Sequence, residues 1–484
     1  MNDGSKPARP SLQRSRPRQQ GAALLLLLSV IVFAVTALIV SGLNQSYHPA
    51  RVSAQTAATL AEAKAALIAR AISSTHEQAV QEGYYSLPCP DRAAQAAPPE
   101  GSAEGACGAR GVTSVGRLPW RSLGTPPLRD GSGECLWYVL SGNYQNLNNA
   151  AAALMLNADS HGLIQVESTD GSVYAGSNPE NRAIAAIIAP GAPLNGQNRN
   201  TLTNFVDHCG GNYVAANYLD SLNGNDNATP NPAADAITTL VTTTVAEEQI
   251  NDRIIWITPD DLADAFTHRT DYNARIDDLL QETANCLHDY ANADSGGLTR
   301  LPWAAPLALS DYRDDANYDD QSGSHFGRLP LTTDDSASDS GAQLNGSLII
   351  SCMADTQIAN YLTHWKDHLF YVVAGEHAPS QAAAPNCTIG DCLSADGSGD
   401  YAAILMFAET RLGGQTRTAP PPAGDADSKQ FLTNYLEMAN ATNFPDAVGG
   451  GDYLTDAAAA VNDRLFCLSS SDLSAPLPPP NSCP

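Results

Sequence analysis

Short blocks recur along this chain in a fixed order, and that recurrence limits its possible folds more than any other feature. Gly116-Arg117-Leu118-Pro119 returns 211 residues later as Gly327-Arg328-Leu329-Pro330, and Asn251-Asp252-Arg253 returns at the same offset as Asn462-Asp463-Arg464. Between them, LWYVLSGNY (136–144) answers LFYVVAGEH (369–377), AAII (185–188) answers AAIL (402–405), and GQNR (196–199) answers GQTR (414–417). The intermediate offsets drift from 217 to 233, as they do when loops change length on a common frame. A chain of 484 residues is long enough for two copies, each burying its own core.

Each copy reads as a helix followed by an antiparallel sheet. β-Branched and aromatic content predicts strands at 135–140, 184–189, 253–257, 348–352, 368–374, 402–407 and 464–468. Thr258-Pro259-Asp260-Asp261 reads as a helix start, with a capping threonine, proline at the first helical position and acids in the first turn. Leu262, Phe266, Ile276, Leu279, Leu280, Leu287 and Tyr290 then supply an apolar face. In the first copy the matching element is an alanine-rich stretch from Pro49 to about Glu82, where Leu60, Ala63, Leu67, Ile68, Ala71 and Ile72 recur at steps of three and four. Its end is expected before Gly83 and Leu87-Pro88-Cys89-Pro90-Asp91, where two prolines remove backbone donors.

Cysteines divide evenly at the same boundary. Cys89, Cys107, Cys135 and Cys209 fall in the first copy, and Cys286, Cys352, Cys387, Cys392, Cys467 and Cys483 in the second. Even numbers without a CxxC pair suit disulfides closed within each copy in an oxidising compartment. Cys387–Cys392 would close a tight loop and Cys467–Cys483 would pin the tail, while the remaining connectivity stays open.

The formal charge is −26, from 52 acids against 26 bases, which disfavours nucleic acid and anionic membrane surfaces as partners. Basic residues nevertheless crowd the N-terminus: Lys6, Arg9, Arg14, Arg16 and Arg18 stand against one acid, Asp3. After Gln19-Gln20-Gly21 come 22 uncharged residues, Ala22 to Leu43. As a helix they would span about 33 Å, enough to cross a bilayer, with the basic end cytoplasmic. An apolar core of this length exceeds that of a secretory signal peptide; an uncleaved signal anchor is the plain alternative.

A basic leader ending in glycine directly before an uninterrupted apolar run resembles the signal of type IV pilins and type II secretion pseudopilins. The resemblance implies that a prepilin peptidase cuts between Gly21 and Ala22, and that Ala22 becomes the N-methylated first residue of a chain carrying −30. Two positions depart from the family pattern: Ala22 replaces the usual phenylalanine, and Leu26 replaces the glutamate at the fifth mature position. A buried carboxylate is costly where no amine faces it, and the large minor pseudopilin at the filament tip also lacks that glutamate. The implied role is therefore a minor, initiating or tip subunit, with other pilin or pseudopilin subunits, the peptidase and the bacterial inner membrane as partners. The bulk of the chain would lie in the periplasm or in an extracellular filament.

The expected architecture is α+β: a leader at 1–21, a transmembrane helix at 22–45, a first pilin-like unit at 46–258, a second at 259–474 and a proline-rich tail at 475–484. No nucleotide loop, HExxH helix or GxSxG elbow is present, so neither catalysis nor a small-molecule substrate is expected and no cofactor is required. One stretch offers a calcium reading: Asp314, Asp315, Asn317, Asp319 and Asp320 supply clustered oxygens, without EF-hand spacing. His364 and His368 stand four apart, as zinc ligands on a helix do, with Glu376 or His377 as further candidates. Asp294-Ser295-Gly296-Gly297 imitates a serine-protease signature but reads more simply as a helix end. The paired Arg117/Arg328 and Arg253/Arg464 are expected to form structural ion pairs, and the tryptophans to pack in the core. Two alternatives stand beside the filament reading: an anchored adhesin or binding protein, and an anchored hydrolase built on His364, His368 and a carboxylate.

Overall fold

The computed structural model describes residues 49–73, 86–93, 95, 97–145, 155–294, 296–340, 352, 353, 355–387, 392–443, 451–455, 461–471, 473 and 483. Gly21, Ala22 and the expected transmembrane segment 22–45 lie outside these residues. So do the end of the first predicted helix and all but Cys352 of the strand predicted at 348–352.

Helix α1 (49–73) buries Thr56, Leu60, Ala63, Leu67 and Ala71, one stripe at helical spacing. The first copy continues with β1 (Ser114–Arg117), β2 (Trp137–Leu140), β3 (Ile164–Ser168), β4 (Val173–Ala175) and β5 (Ala185–Ala189). It ends with β6 (Ser221–Leu222), β7 (Asn225–Asp226), β8 (Thr238–Thr242) and β9 (Arg253–Ile257). Helices α2 (Pro259–Thr267) and α3 (Tyr272–Asn292) follow, and the cap at Thr258 is complete: its side chain accepts from Asp261 N while the Asp261 carboxylate accepts from Thr258 N. The second copy holds β10 (Phe326–Arg328), α4 (Asp334–Ser340), α5 (Thr356–Trp365), β11 (Leu369–Val373), β12 (Leu393–Ala395), β13 (Ser398–Phe407), α6 (Met438–Thr442), β14 (Asp452–Tyr453) and β15 (Arg464–Ser469).

The main sheet of the first copy runs β1-β2-β5-β9, antiparallel throughout. In the second copy β10-β11-β13-β15 repeats that order, and β12 and β14 extend the sheet to six strands. One sequence match is out of step. Tyr138 pairs with Ile187 but Tyr371 pairs with Leu405, so Ile187 corresponds to Leu405 and not to Ile404. Face alternation decides this, because a one-residue slip would turn every side chain of β13 to the wrong side.

The expected plan of a membrane helix followed by two tandem helix-plus-antiparallel-sheet units requires correction. Among the described residues no helix is long and apolar enough to cross a membrane, and α1 carries Arg51, Glu62, Lys64 and Arg70. The sheets are also more varied than expected: β3 pairs with β8, and β12 with β14, in parallel, and a three-stranded and a two-stranded sheet accompany the larger ones. Thr56–Pro484 forms one compact body, not two.

The reason lies in the strands, which are apolar on both faces. Tyr138, Leu140 and Ile187 of one sheet and Tyr371, Leu405 and Phe407 of the other enter a single core with Leu60, Leu67, Phe266, Ile276, Leu287 and Trp365. The opposite faces close separate clusters, Trp137, Val139 and Ile188 with Ile164 and Leu240 in the first copy, Phe370, Val372 and Met406 with Tyr435 in the second. Burial of each large apolar side chain contributes ~1.5–3 kcal/mol, so separating the copies would forfeit the shared core. Trp120, Trp137, Trp303 and Trp365 are buried, and Trp256 is half-buried. Five disulfides join Cys89–Cys107, Cys135–Cys209, Cys286–Cys352, Cys387–Cys392 and Cys467–Cys483, all within copies.

Candidate functional site

The two copies reproduce a buried polar frame atom by atom. Arg199 Nε donates to Asn217 O (2.9 Å) and Arg417 Nε to Asn434 O (2.6 Å). Gln197 donates to Asp220, and Gln415 to Glu437, each at 2.8 Å. Asn227 Nδ2 donates to Asp252 Oδ2 (2.8 Å) and Asn440 Nδ2 to Asp463 Oδ2 (3.0 Å). Each frame therefore encloses two acids, Asp220 with Asp252 and Glu437 with Asp463. Burial, and then the neighbouring acid, raises Asp252 well above the carboxylate range and Asp463 to about 8. Oδ1 receives no hydrogen-bond donor in either aspartate, as expected of a carboxyl that keeps its own proton.

The expected arginine ion pairs are met unevenly. Arg117 lies 3.7 Å from Glu100, and Arg464 reaches Glu409 at 2.6 Å and Asp277 at 3.0 Å. Arg328 instead donates to the carbonyls of Leu307, Asp367 and Lys429 and sits over the rings of Tyr312, Phe370 and Tyr435. Arg253 donates to Thr244 O.

A second ionic cluster joins the copies to each other. Asn157 and Asp159 come from the loop leading into β3, and Asp367 and His368 from the 3-10 turn between α5 and β11. Gly162 lets that loop run against β5's lead-in, since a Cβ there would meet Ala183 O at 2.0 Å. Asp159 has no exposed side-chain surface. Its carboxylate stands 2.9 Å from His368 Nε2, 3.1 Å from Arg417 and 3.1 Å from Arg411. Burial pushes this acid up, but Arg417, His368 and Arg411 together hold it well below the usual range. Asp367 accepts from Asn157 (2.7 Å), Lys429 and Tyr435 (3.3 Å), and is held below the usual range against its burial mainly by Lys429. Every member of the cluster is charged or hydrogen-bonded, and no serine, threonine or cysteine takes part as a nucleophile among the described contacts.

The sequence-derived metal candidates are placed as follows. Asp314 caps the 3-10 turn at Ala316 N (3.1 Å), Asp315 pairs with Lys366, and Asn317 donates to Asp311 O (2.8 Å). Asp319 accepts from Thr332, and Asp320 accepts from Asp335 N (3.0 Å) and Ser336 N (2.8 Å). Their oxygens are directed to separate protein partners. His364 Nδ1 accepts from Leu156 N (3.1 Å), while His368 faces Asp159 and Ala408 O (2.6 Å). Glu376 accepts from Asn386 N, and His377 contacts Thr299 O and Ser470. Among the described residues no group of three or more His, Cys, Asp or Glu side chains is placed to hold a metal ion. Asp294 forms a two-point pair with Arg300 (2.7 Å each), which lowers it to about 2.

Beside the Asp159 cluster a cleft of about 50 Å³ lies between the copies, with Arg110, His161, Arg313, Lys429, Met155 and Pro421 in its walls. The sequence offered no motif for it; Arg417, inside a repeated GQxR block, and His368, a zinc candidate, are residues it singles out that lie at the junction. Comparison of the chain with protein-family models, with curated proteins and with solved structures returns no match.

Proposed function

We propose that this chain is a minor pilin or pseudopilin, a structural and assembly subunit of a type IV pilus-like or type II secretion filament, and not an enzyme. One observation carries the reading: the basic leader ends at Gly21, and Ala22 opens 22 uncharged residues. That run has the length to hold a chain in the bacterial inner membrane, and the lysine and arginine bias puts its beginning in the cytoplasm. Five disulfides agree with a periplasmic or extracellular body, where thiols are oxidised. The absence of an acid at Leu26 favours an initiating or tip position, where no neighbouring amine needs pairing.

The test is the mature N-terminus. In cells with an active prepilin peptidase, mass spectrometry should find chains that begin at Ala22, and Gly21→Ala should leave the longer precursor in the inner membrane. Retention of the leader on the unaltered chain would refute the proposal. It would favour an anchored extracytoplasmic binding protein, the second reading, which the cleft between the copies supports.

A further inference from the structure

In the cleft between the copies, cations, an unpartnered polar atom and apolar walls meet. We propose that it binds a small ligand through a carboxylate, the ligand also carrying a hydrogen-bond donor a few atoms away. This inference does not rest on the filament reading.

Three features of the walls specify that chemistry. The first is a balance of charge that favours cations in a chain of net −26: Arg110, Arg313 and Lys429 line the cleft with Asp159 and Asp311, and Lys429 is paired with Asp367. Arg313 spends part of its guanidinium on Asp311 (2.9 Å) and stands 3.7 Å from Asp235, and these two acids also serve Arg110. Burial, and then the nearby Arg313, makes the Arg110 guanidinium easier to deprotonate than usual, so a further anion would relieve both arginines. The carboxylate of Asp159, also in the wall, is already shared by Arg417, Arg411 and His368.

The second feature is an unmet pair of polar atoms. His161 is 8% exposed, and its Nε2 has no hydrogen-bond partner. Burial and the neighbouring Lys429 lower its pKa to about 3, so the ring is neutral, and in the tautomer with hydrogen on Nε2 it can donate to an anion. Asn143 Oδ1, in the same wall, is a buried acceptor without a donor. A buried group left in that state costs ~1–3 kcal/mol, which a ligand with both an anionic acceptor and a donor would recover. The third feature is the apolar part of the wall, Met155 and Pro421 among it, which suits a short aliphatic or ring body.

Two sources share this chemistry: a peptide C-terminus, with its last amide N–H, and an acidic sugar, with its hydroxyls. Isothermal titration of the full chain in detergent separates them. N-acetyl-alanine and glucuronate are the charged probes, and N-acetyl-alanine amide and glucose their uncharged counterparts. At least one acid should bind, with its counterpart at least about tenfold weaker. N-acetyl-alanine would mark the peptide source and glucuronate the sugar. Arg110→Gln should weaken the acid by about tenfold or more. Equal binding of acid and counterpart, no binding of either acid up to about 10 mM, or a folded Arg110→Gln chain that binds as before would overturn the proposal. The acid-against-amide comparison uses the unaltered chain and decides the matter alone if Arg110→Gln does not fold.

Discussion

Asp463→Asn tests the reading of the duplicated acid pairs. In the folded chain Asp463 accepts from Glu437 N (3.1 Å) and Asn440 Nδ2 (3.0 Å) through Oδ2, and burial beside Glu437 raises its pKa to about 8. In the unfolded chain an aspartate titrates near about 3.9. Between about pH 4 and about pH 8 the folded state therefore binds one proton more than the unfolded state, and stability must fall as pH rises. The contribution is complete below about pH 4, declines by ~1.4 kcal/mol per pH unit, and is gone above about pH 8. Asparagine has the shape of the protonated acid and keeps the Oδ acceptor for both donors, so the variant should fold normally. Its unfolding free energy, from denaturant titrations of the oxidised full chain at several values from about pH 5 to about pH 8.5, should change less with pH by ~1.4 kcal/mol per unit. It should approach the parent at the acidic end and exceed it at the alkaline end. Parallel pH profiles for variant and parent would refute a shared proton at this site. So would a variant weakened equally at every pH. Asp252→Asn in the first copy should shift the profile in the same direction, since burial and Asp220 raise that acid too.

The other perturbations address the junction and the cross-links. Asp159→Ala removes a fully buried carboxylate and leaves Arg417 and His368 facing no anion at that point, which should cost ~3–5 kcal/mol by denaturant unfolding. A loss below ~1 kcal/mol would mean that water reaches the cluster. Replacing Cys135 and Cys209 by serine opens a loop with a separation of 74 residues and should cost ~4 kcal/mol, whereas the Cys387–Cys392 pair, at a separation of 5, should cost ~2 kcal/mol. The reverse order of midpoints would show that loop length does not govern these cross-links.

β-Branched and aromatic content made the sheet cores legible in the sequence: strands predicted at 135–140, 253–257 and 464–468 correspond to β2, β9 and β15 within two residues. Chemistry made the Thr258 cap legible, because threonine, proline and acid at those positions fit few other conformations. Packing between copies was not legible. The stripe of Leu60, Ala63 and Leu67 looks the same whether it meets its own sheet or a shared core, so it does not distinguish two separate units from one body. The acid pairs were misweighted for a related reason. In each repeated Asn-Asp-Arg block the arginine is the residue expected to form an ion pair, yet the aspartate is the most deeply buried member, at 0% exposure in both copies. Asn157, Asp159 and Lys429 belong to no repeated block and gave no local signal. Lys366-Asp367-His368 is a charged run that enters the apolar strand β11 and is buried there.

The Asp159 cluster also accounts for how two similar copies adopt a single arrangement. Apolar contact is non-directional, and the shared core of leucines, alanines and aromatics would tolerate small displacements of one copy against the other at modest cost. Asp159 tolerates none. A shift of one or two ångströms would part its carboxylate from Arg417 and Arg411, leave Asn157 without Asp367, and strand charges where water cannot replace the lost partner. Such a cluster adds little net stability over an apolar filling of equal volume. It separates the native register from near alternatives by several kcal/mol, because each alternative carries an uncompensated charge. Part of the cleft wall is built from the same loop, Met155 to His161, so whatever fixes Asp159 also fixes His161 relative to Arg313 and Lys429 across the junction.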